Sequence, residues 1–66
     1  MPYIETVVLP SGRFTIFLNG SVYRVNYQDL VIYENGRRII RGRVSAYAFR
    51  SVEQMRYDFE RDVEAL

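Results

Sequence analysis

Cysteine, histidine, lysine and tryptophan are all missing from this 66-residue chain, and proline occurs only twice. Without cysteine there is no disulfide, no thiolate metal site and no thiol nucleophile. Without histidine there is no Ser-His dyad, and the side chain that most often moves protons near neutral pH is gone. No Gly-rich phosphate loop or metal-ligand spacing is present, so the sequence predicts no metal, no cofactor and no small-molecule substrate. The carboxylate pair that stands out, Asp58 and Asp62, is spaced one helical turn apart, where two acids are ordinarily just solvated. No catalytic residue is assigned, and the chain reads as a non-enzyme.

Long apolar runs are absent too. None approaches the roughly 20 residues of a membrane span, and the start MPYIETVVLP lacks the charged head and small-residue cleavage site of a secretory signal. The expectation is a soluble, cytoplasmic protein with no membrane partner. A chain this short buries only about 60% of its unfolded surface. Its core rarely yields more than about 3 to 5 kcal/mol without a disulfide, a metal or a partner. With the first two excluded, a second subunit or a bound macromolecule becomes the expected extra source of stability.

What is present is a folded-domain composition, 48% apolar with six tyrosines and four phenylalanines. Residues 1–66 read as one domain, with strands over about 3–9, 14–18, 21–27, 29–34 and 37–49 and a helix over about 52–65. Pro10-Ser11-Gly12 supplies the first turn. Asn19-Gly20 and Asn35-Gly36 are the dipeptides that best tolerate a type I′ hairpin. A two-residue Asn19-Gly20 loop sets Leu18 against Ser21, Ile16 against Tyr23 and Phe14 against Val25, giving one apolar face. The second hairpin sets Glu34 against Arg37, Ile32 against Ile39 and Leu30 against Arg41. Read as one strand, residues 37–49 put Arg37, Arg41, Arg43 and Tyr47 on one face and Arg38, Ile40, Gly42, Val44, Ala46 and Ala48 on the other.

Ser51-Val52-Glu53-Gln54 matches a capping box. Val52, Met55, Phe59, Val63 and Leu66 follow at spacings of three and four, the stripe of a helix docked on a sheet. The fold class is therefore α+β: a four- to five-stranded antiparallel meander, or an SH3-like open barrel, with one C-terminal helix. The predicted core is Phe14, Ile16, Val25, Ile40, Val44, Met55, Phe59 and Val63.

Charge is unevenly placed. Residues 1–36 sum to −1, residues 37–50 to +5 and residues 51–66 to −3, so a total of +1 hides a basic strand and an acidic helix. Two readings of ENGRRIIRGRV, residues 34–44, stay open. Arg37, Arg41 or Arg43 can meet Glu53, Glu60 or Glu64 within the molecule, with helix pairs such as Arg56–Glu60 and Asp58–Arg61 absorbing more. Alternatively they face outward; Asp62 and Glu64, in the last helical turn where the macrodipole disfavours anions, then serve solubility or an arginine partner, internal or on another molecule.

Tyr and Arg are enriched at binding hot spots. The function read from the sequence is accordingly a small protein-binding module or homo-oligomer, of the regulator or structural-accessory kind found in phages and mobile elements. The alternative is a nucleic-acid binder that uses the Arg-rich strand 37–43, with phosphate contacts from its arginines and stacking on nearby aromatics. The candidate binding residues are Arg37, Arg41, Arg43, Tyr47, Phe17 and Arg24. No helix-turn-helix, zinc-finger, KH or RNP pattern accompanies them.

The tail RGRVSAYAFRSVEQMRYDFERDVEAL, residues 41–66, resembles the end of HicB-type antitoxin half-domains. There a strand leads through a "SVEEL" helix start into an amphipathic "F…V" helix. That family continues into a further strand after the helix, and residues 1–27 have no counterpart in it. The resemblance implies a small protein-binding antitoxin.

Overall fold

The computed structural model describes residues 2–66. Six strands precede one helix: β1 (Tyr3–Leu9), β2 (Gly12–Asn19), β3 (Val22–Tyr27), β4 (Val31–Glu34), β5 (Arg37–Ile40), β6 (Arg43–Ala46) and α1 (Val52–Glu64). The strands form a single antiparallel sheet in sequence order, so each connection is a hairpin. β1 and β6 each pair on one side only, and the sheet does not close. Among the described residues, no helix is long and apolar enough to cross a membrane.

The strand count differs from the expected four or five because residues 37–49 are not one strand. Arg41 and Gly42 take φ values of +49° and +83°, the pair of left-handed residues that a type I′ turn needs. The chain reverses there, and Ile40 comes to lie opposite Arg43 and Ile39 opposite Val44. Arginine is a poor predictor of positive φ, which is why the sequence pattern conceals this hairpin. Residues 47–49, expected to extend the strand, lie outside any strand.

The two Asn-Gly sites behave differently. Asn35 (φ +46°) and Gly36 (φ +85°) form the expected turn and give the expected Glu34–Arg37 and Ile32–Ile39 pairs. At the other site Asn19 stays in the ladder opposite Val22, and the loop is Gly20-Ser21. Gly20 alone has positive φ there, the type II′ pattern. Leu18 consequently opposes Tyr23, and Ile16 opposes Val25. A shift of two residues preserves side-chain parity, so Phe14, Ile16, Leu18, Tyr23 and Val25 still share one face.

That inner face carries α1. Phe14, Ile16, Tyr23, Val25, Tyr27, Val31 and Tyr33 from the sheet enclose Met55, Phe59 and Val63 from the helix. Phe59 is fully buried between Phe14, 4.9 Å away ring to ring, and the edge of Tyr33 at 5.0 Å. Two core expectations are corrected. Val44 is 63% exposed because the Arg41-Gly42 turn puts it on the outer face, and Ile40 packs at the margin of the core, only partly buried. The tyrosines of β3 and β4 take those places.

The helix begins as its sequence signals, with the Ser51 hydroxyl accepting from the Gln54 amide at 3.1 Å. The Gln54 side chain does not return to the cap but donates to Asp58. Two ion pairs pin α1 across the sheet: Arg56 to Glu5 on β1, and Asp62 to Arg38 on β5.

The uncovered face of the sheet as a candidate binding surface

With the helix on one side, antiparallel register decides what the other side presents. Two cross-strand rows run over the outer face from β1 to β6. The first is Ile4, Phe17, Arg24, Glu34, Arg37 and Ala46; the second is Thr6, Thr15, Asn26, Ile32, Ile39 and Val44. Directly opposed residues lie about 4.5 to 5.5 Å apart at Cα, so each row is a continuous strip of side chains. The first runs from apolar Ile4 and Phe17 through cation, anion and cation to Ala46, and the second ends in three β-branched apolar residues. Nothing in the described chain covers either.

Three of the sequence-predicted residues meet here. Phe17 and Arg24 are direct neighbours, and Arg37 follows beyond Glu34. Arg24 Nε approaches Glu34 at 3.4 Å with both side chains solvated, a contact worth at most about 1 kcal/mol. Arg13 lies opposite Val8 on the same face. Together with Thr15, Phe17, Arg24, Asn26 and Gln28 it lines a shallow groove of about 560 Å3. Arg13, Asn26, Ile32 and Ile39 are absent from the sequence-predicted set, although the alternation of β2, β3, β4 and β5 assigns each to this face.

The other three predicted residues are elsewhere. Arg41 sits in the β5–β6 turn. Arg43, opposite Ile40, projects on the inner side of the sheet, where it lines a separate hollow of about 580 Å3 with Arg38, Ile40, Arg41, Val44 and Ser45. Arg37, Arg41 and Arg43 therefore do not point one way, and the single phosphate-tracking row expected of strand 37–43 does not form. Tyr47 is half-buried against the helix, its ring 4.5 Å from that of Tyr33 and its hydroxyl donating to Asp58 at 2.8 Å.

Internal neutralisation does not run through the expected pairs. Among the described residues, Arg37, Arg41 and Arg43 make no ion pair, and neither do Glu53, Glu60 and Glu64. Arg38 does instead, with Nε and Nη2 donating to the two Asp62 oxygens at 2.7 and 2.6 Å. The Tyr33 hydroxyl donates to the same carboxylate. Burial pulls the Asp62 pKa up, but the bonds from Arg38 and Tyr33 outweigh it and hold the carboxyl below its usual range. Tyr33 and Tyr47 are both pushed up, by burial first and by their carboxylate partners second. Glu5 is held low by the Tyr3 hydroxyl and by Arg56.

Asp58 and Asp62, the acid pair singled out in the sequence, are thus both engaged: Asp58 by Tyr47 and Gln54, Asp62 by Arg38 and Tyr33. Among the described residues, no group of three or more Asp and Glu side chains is placed to hold a metal ion. No family model, no curated protein and no solved structure matches the chain.

Proposed function

We propose that this chain is a non-enzymatic binding module that docks a protein partner on the uncovered face of its sheet. The observation that carries the reading is the pair of continuous outer rows. Phe17, Ile32, Ile39 and Val44 supply apolar and aromatic contact area there, and Arg13, Arg24 and Arg37 outnumber the acids beside them, Glu34 in the first row and Asp29 bonded to Asn26 at the margin. An apolar patch flanked by arginines is the composition of an interface centre. The complementary partner presents apolar side chains with carboxylates around them. The engagement of Asp58 and Asp62 in structural bonds supports the non-enzymatic part of the reading. The size of the domain suits a small regulator or structural accessory of the kind that phages and mobile elements encode.

The test is affinity capture with the wild-type chain, followed by titration of the purified captured protein. Phe17→Ala and Arg37→Glu should each weaken that complex by at least about tenfold, the effect of a modest hot spot. Arg43→Gln should leave it unchanged. Loss with Arg43→Gln and retention with both outer-face variants contradicts the reading.

A second reading, nucleic-acid binding, is favoured by one feature: the groove of Arg13, Thr15, Phe17, Arg24, Asn26 and Gln28 combines cations, an aromatic and amides. On that reading, affinity for a single-stranded oligonucleotide falls with log salt at a slope of about −1.4, for phosphate contacts from the two arginines of the groove, Arg13 and Arg24. No binding at low salt, where attraction is strongest, removes it.

A further inference from the structure

The two edges of the sheet are not equivalent. β6 is four residues long, begins with Arg43 and follows Arg41 in its turn, so it is short and cationic. Native sheets blunt their edges with such features. β1 is seven residues of mostly β-branched and aromatic sequence, YIETVVL. Its single charge, Glu5, lies on the inner face and is bridged to Arg56. The two most exposed large hydrophobic side chains among the described residues, Val8 at 79% and Ile4 at 66%, are both on its outer face.

The sequence around β1 is also symmetric about Thr6. Pro2 and Pro10 stand four residues to either side of it. Proline has no N–H for a ladder, so the two prolines confine any new pairing to residues 3–9. We propose that β1 is a homodimerisation edge: the β1 strands of two copies pair antiparallel about Thr6, joining two six-stranded sheets into one. Thr6 then faces Thr6, Ile4 faces Val8, Glu5 faces Val7 and Tyr3 faces Leu9 of the second copy. This register uses all seven residues, with Pro2 opposite Pro10 just beyond. It covers the two most exposed apolar side chains with each other, as a cross-strand β-branched pair.

Parity supports the same register. Even positions oppose even and odd oppose odd, so outer faces continue into outer faces. Along an antiparallel edge the free N–H and C=O groups belong to alternate residues, and those of one copy oppose those of the other. Moving the register by two in one direction sets Glu5 against Glu5 and Pro2 against Val8. Moving it by two in the other sets Pro10 against Ile4. A shift of one turns each side chain to the wrong face. Pairing β1 with β6 of a second copy leaves three β1 residues unmatched and propagates without closing, whereas the β1 pair closes as a two-fold dimer. The proposal is independent of what docks on the outer face.

Because the chain has no cysteine, single cysteines report the register directly. Cα atoms opposed across an antiparallel pair lie about 4.5 to 5.5 Å apart, inside the roughly 4.4 to 6.8 Å span of a disulfide. Thr6→Cys is expected to cross-link to a dimer under mild oxidation. Ile4→Cys alone and Val8→Cys alone stay monomeric, since like positions are then about 13 Å apart. A mixture of the Ile4→Cys and Val8→Cys chains cross-links. The wild-type chain sediments as a dimer at micromolar concentration, and a Thr6→Pro variant, checked as folded by circular dichroism, does not. A monomeric wild type, cross-linking no faster at Thr6→Cys than at Ile4→Cys, or preferential cross-linking of a Ser45→Cys chain through β6 overturns the proposal.

Discussion

Arg38 and Asp62 form a bidentate ion pair between β5 and the last turn of α1, with nitrogen–oxygen distances of 2.7 and 2.6 Å. A carboxylate in that turn opposes the helix dipole, and its position is explained by the arginine it clamps and by the Tyr33 hydroxyl it accepts. Asp62→Ala removes the partner of both at once. The arginine is more than a third exposed, so solvent screening reduces the loss to about 1 to 3 kcal/mol. Denaturant titration should show the midpoint fall with the slope unchanged.

The same pair sets the acid limb of stability. A carboxyl whose folded pKa lies below its ordinary value stabilises fully above that value and loses its contribution as pH falls through the folded one. Asp62, ordinarily near 3.8, and Glu5, ordinarily near 4.5, both lie on this side. Stability should hold down to about pH 4 to 5 and decline below. Asp62→Asn should flatten that decline, as read by thermal melts across the acid range.

The alkaline limb has the opposite sign. Tyr33 and Tyr47 have folded pKa values raised above the ordinary 10.0 by burial and by their carboxylate partners. Their contribution is complete below pH 10 and is lost as pH rises through the folded values. Tyrosinate absorbance should therefore show a late component that appears together with unfolding. Tyr33→Phe should remove part of it.

Phe59 is the side chain on which sheet and helix converge. Phe59→Ala should cost about 3 to 5 kcal/mol, comparable with the whole stability of a core this small. A cooperative folded state for this variant would mean that the Met55, Phe59 and Val63 stripe does not dock the helix.

Much of this arrangement is legible in the chain, because periodicity and turn chemistry point to the same elements. Asn35-Gly36 marks its hairpin, Ser51 marks the helix start, and Met55, Phe59 and Val63 mark the buried stripe. The misreading of residues 37–49 has one physical source. Arg41-Gly42 lacks the side chain that favours a left-handed first turn position, so it reads as the middle of a strand. A turn in place of two strand residues moves Arg43 to the face of Ile40 and Val44 to the outside. That single reversal accounts for the strand count, for the wrong core residue and for the dispersal of Arg37, Arg41 and Arg43.

The turn itself is testable. Gly42 has φ +83° with open space around a Cβ, so a side chain there meets conformational strain and no clash. Gly42→Val should cost about 1 to 2 kcal/mol and speed amide exchange in Arg43–Ala46. Arg41→Asn, which creates the preferred turn pair, should act in the opposite direction.

The central claim is that the face opposite the helix receives a protein. Site-specific photo-cross-linking tests it most directly, with a photoreactive side chain placed singly at Ile39 on the outer face or at exposed Tyr57 on the helix. The account predicts one discrete heteromeric adduct from position 39, abolished by Arg37→Glu, and none from position 57. An adduct from position 57 alone, or one from position 39 that persists with Arg37→Glu and Phe17→Ala combined, would contradict it.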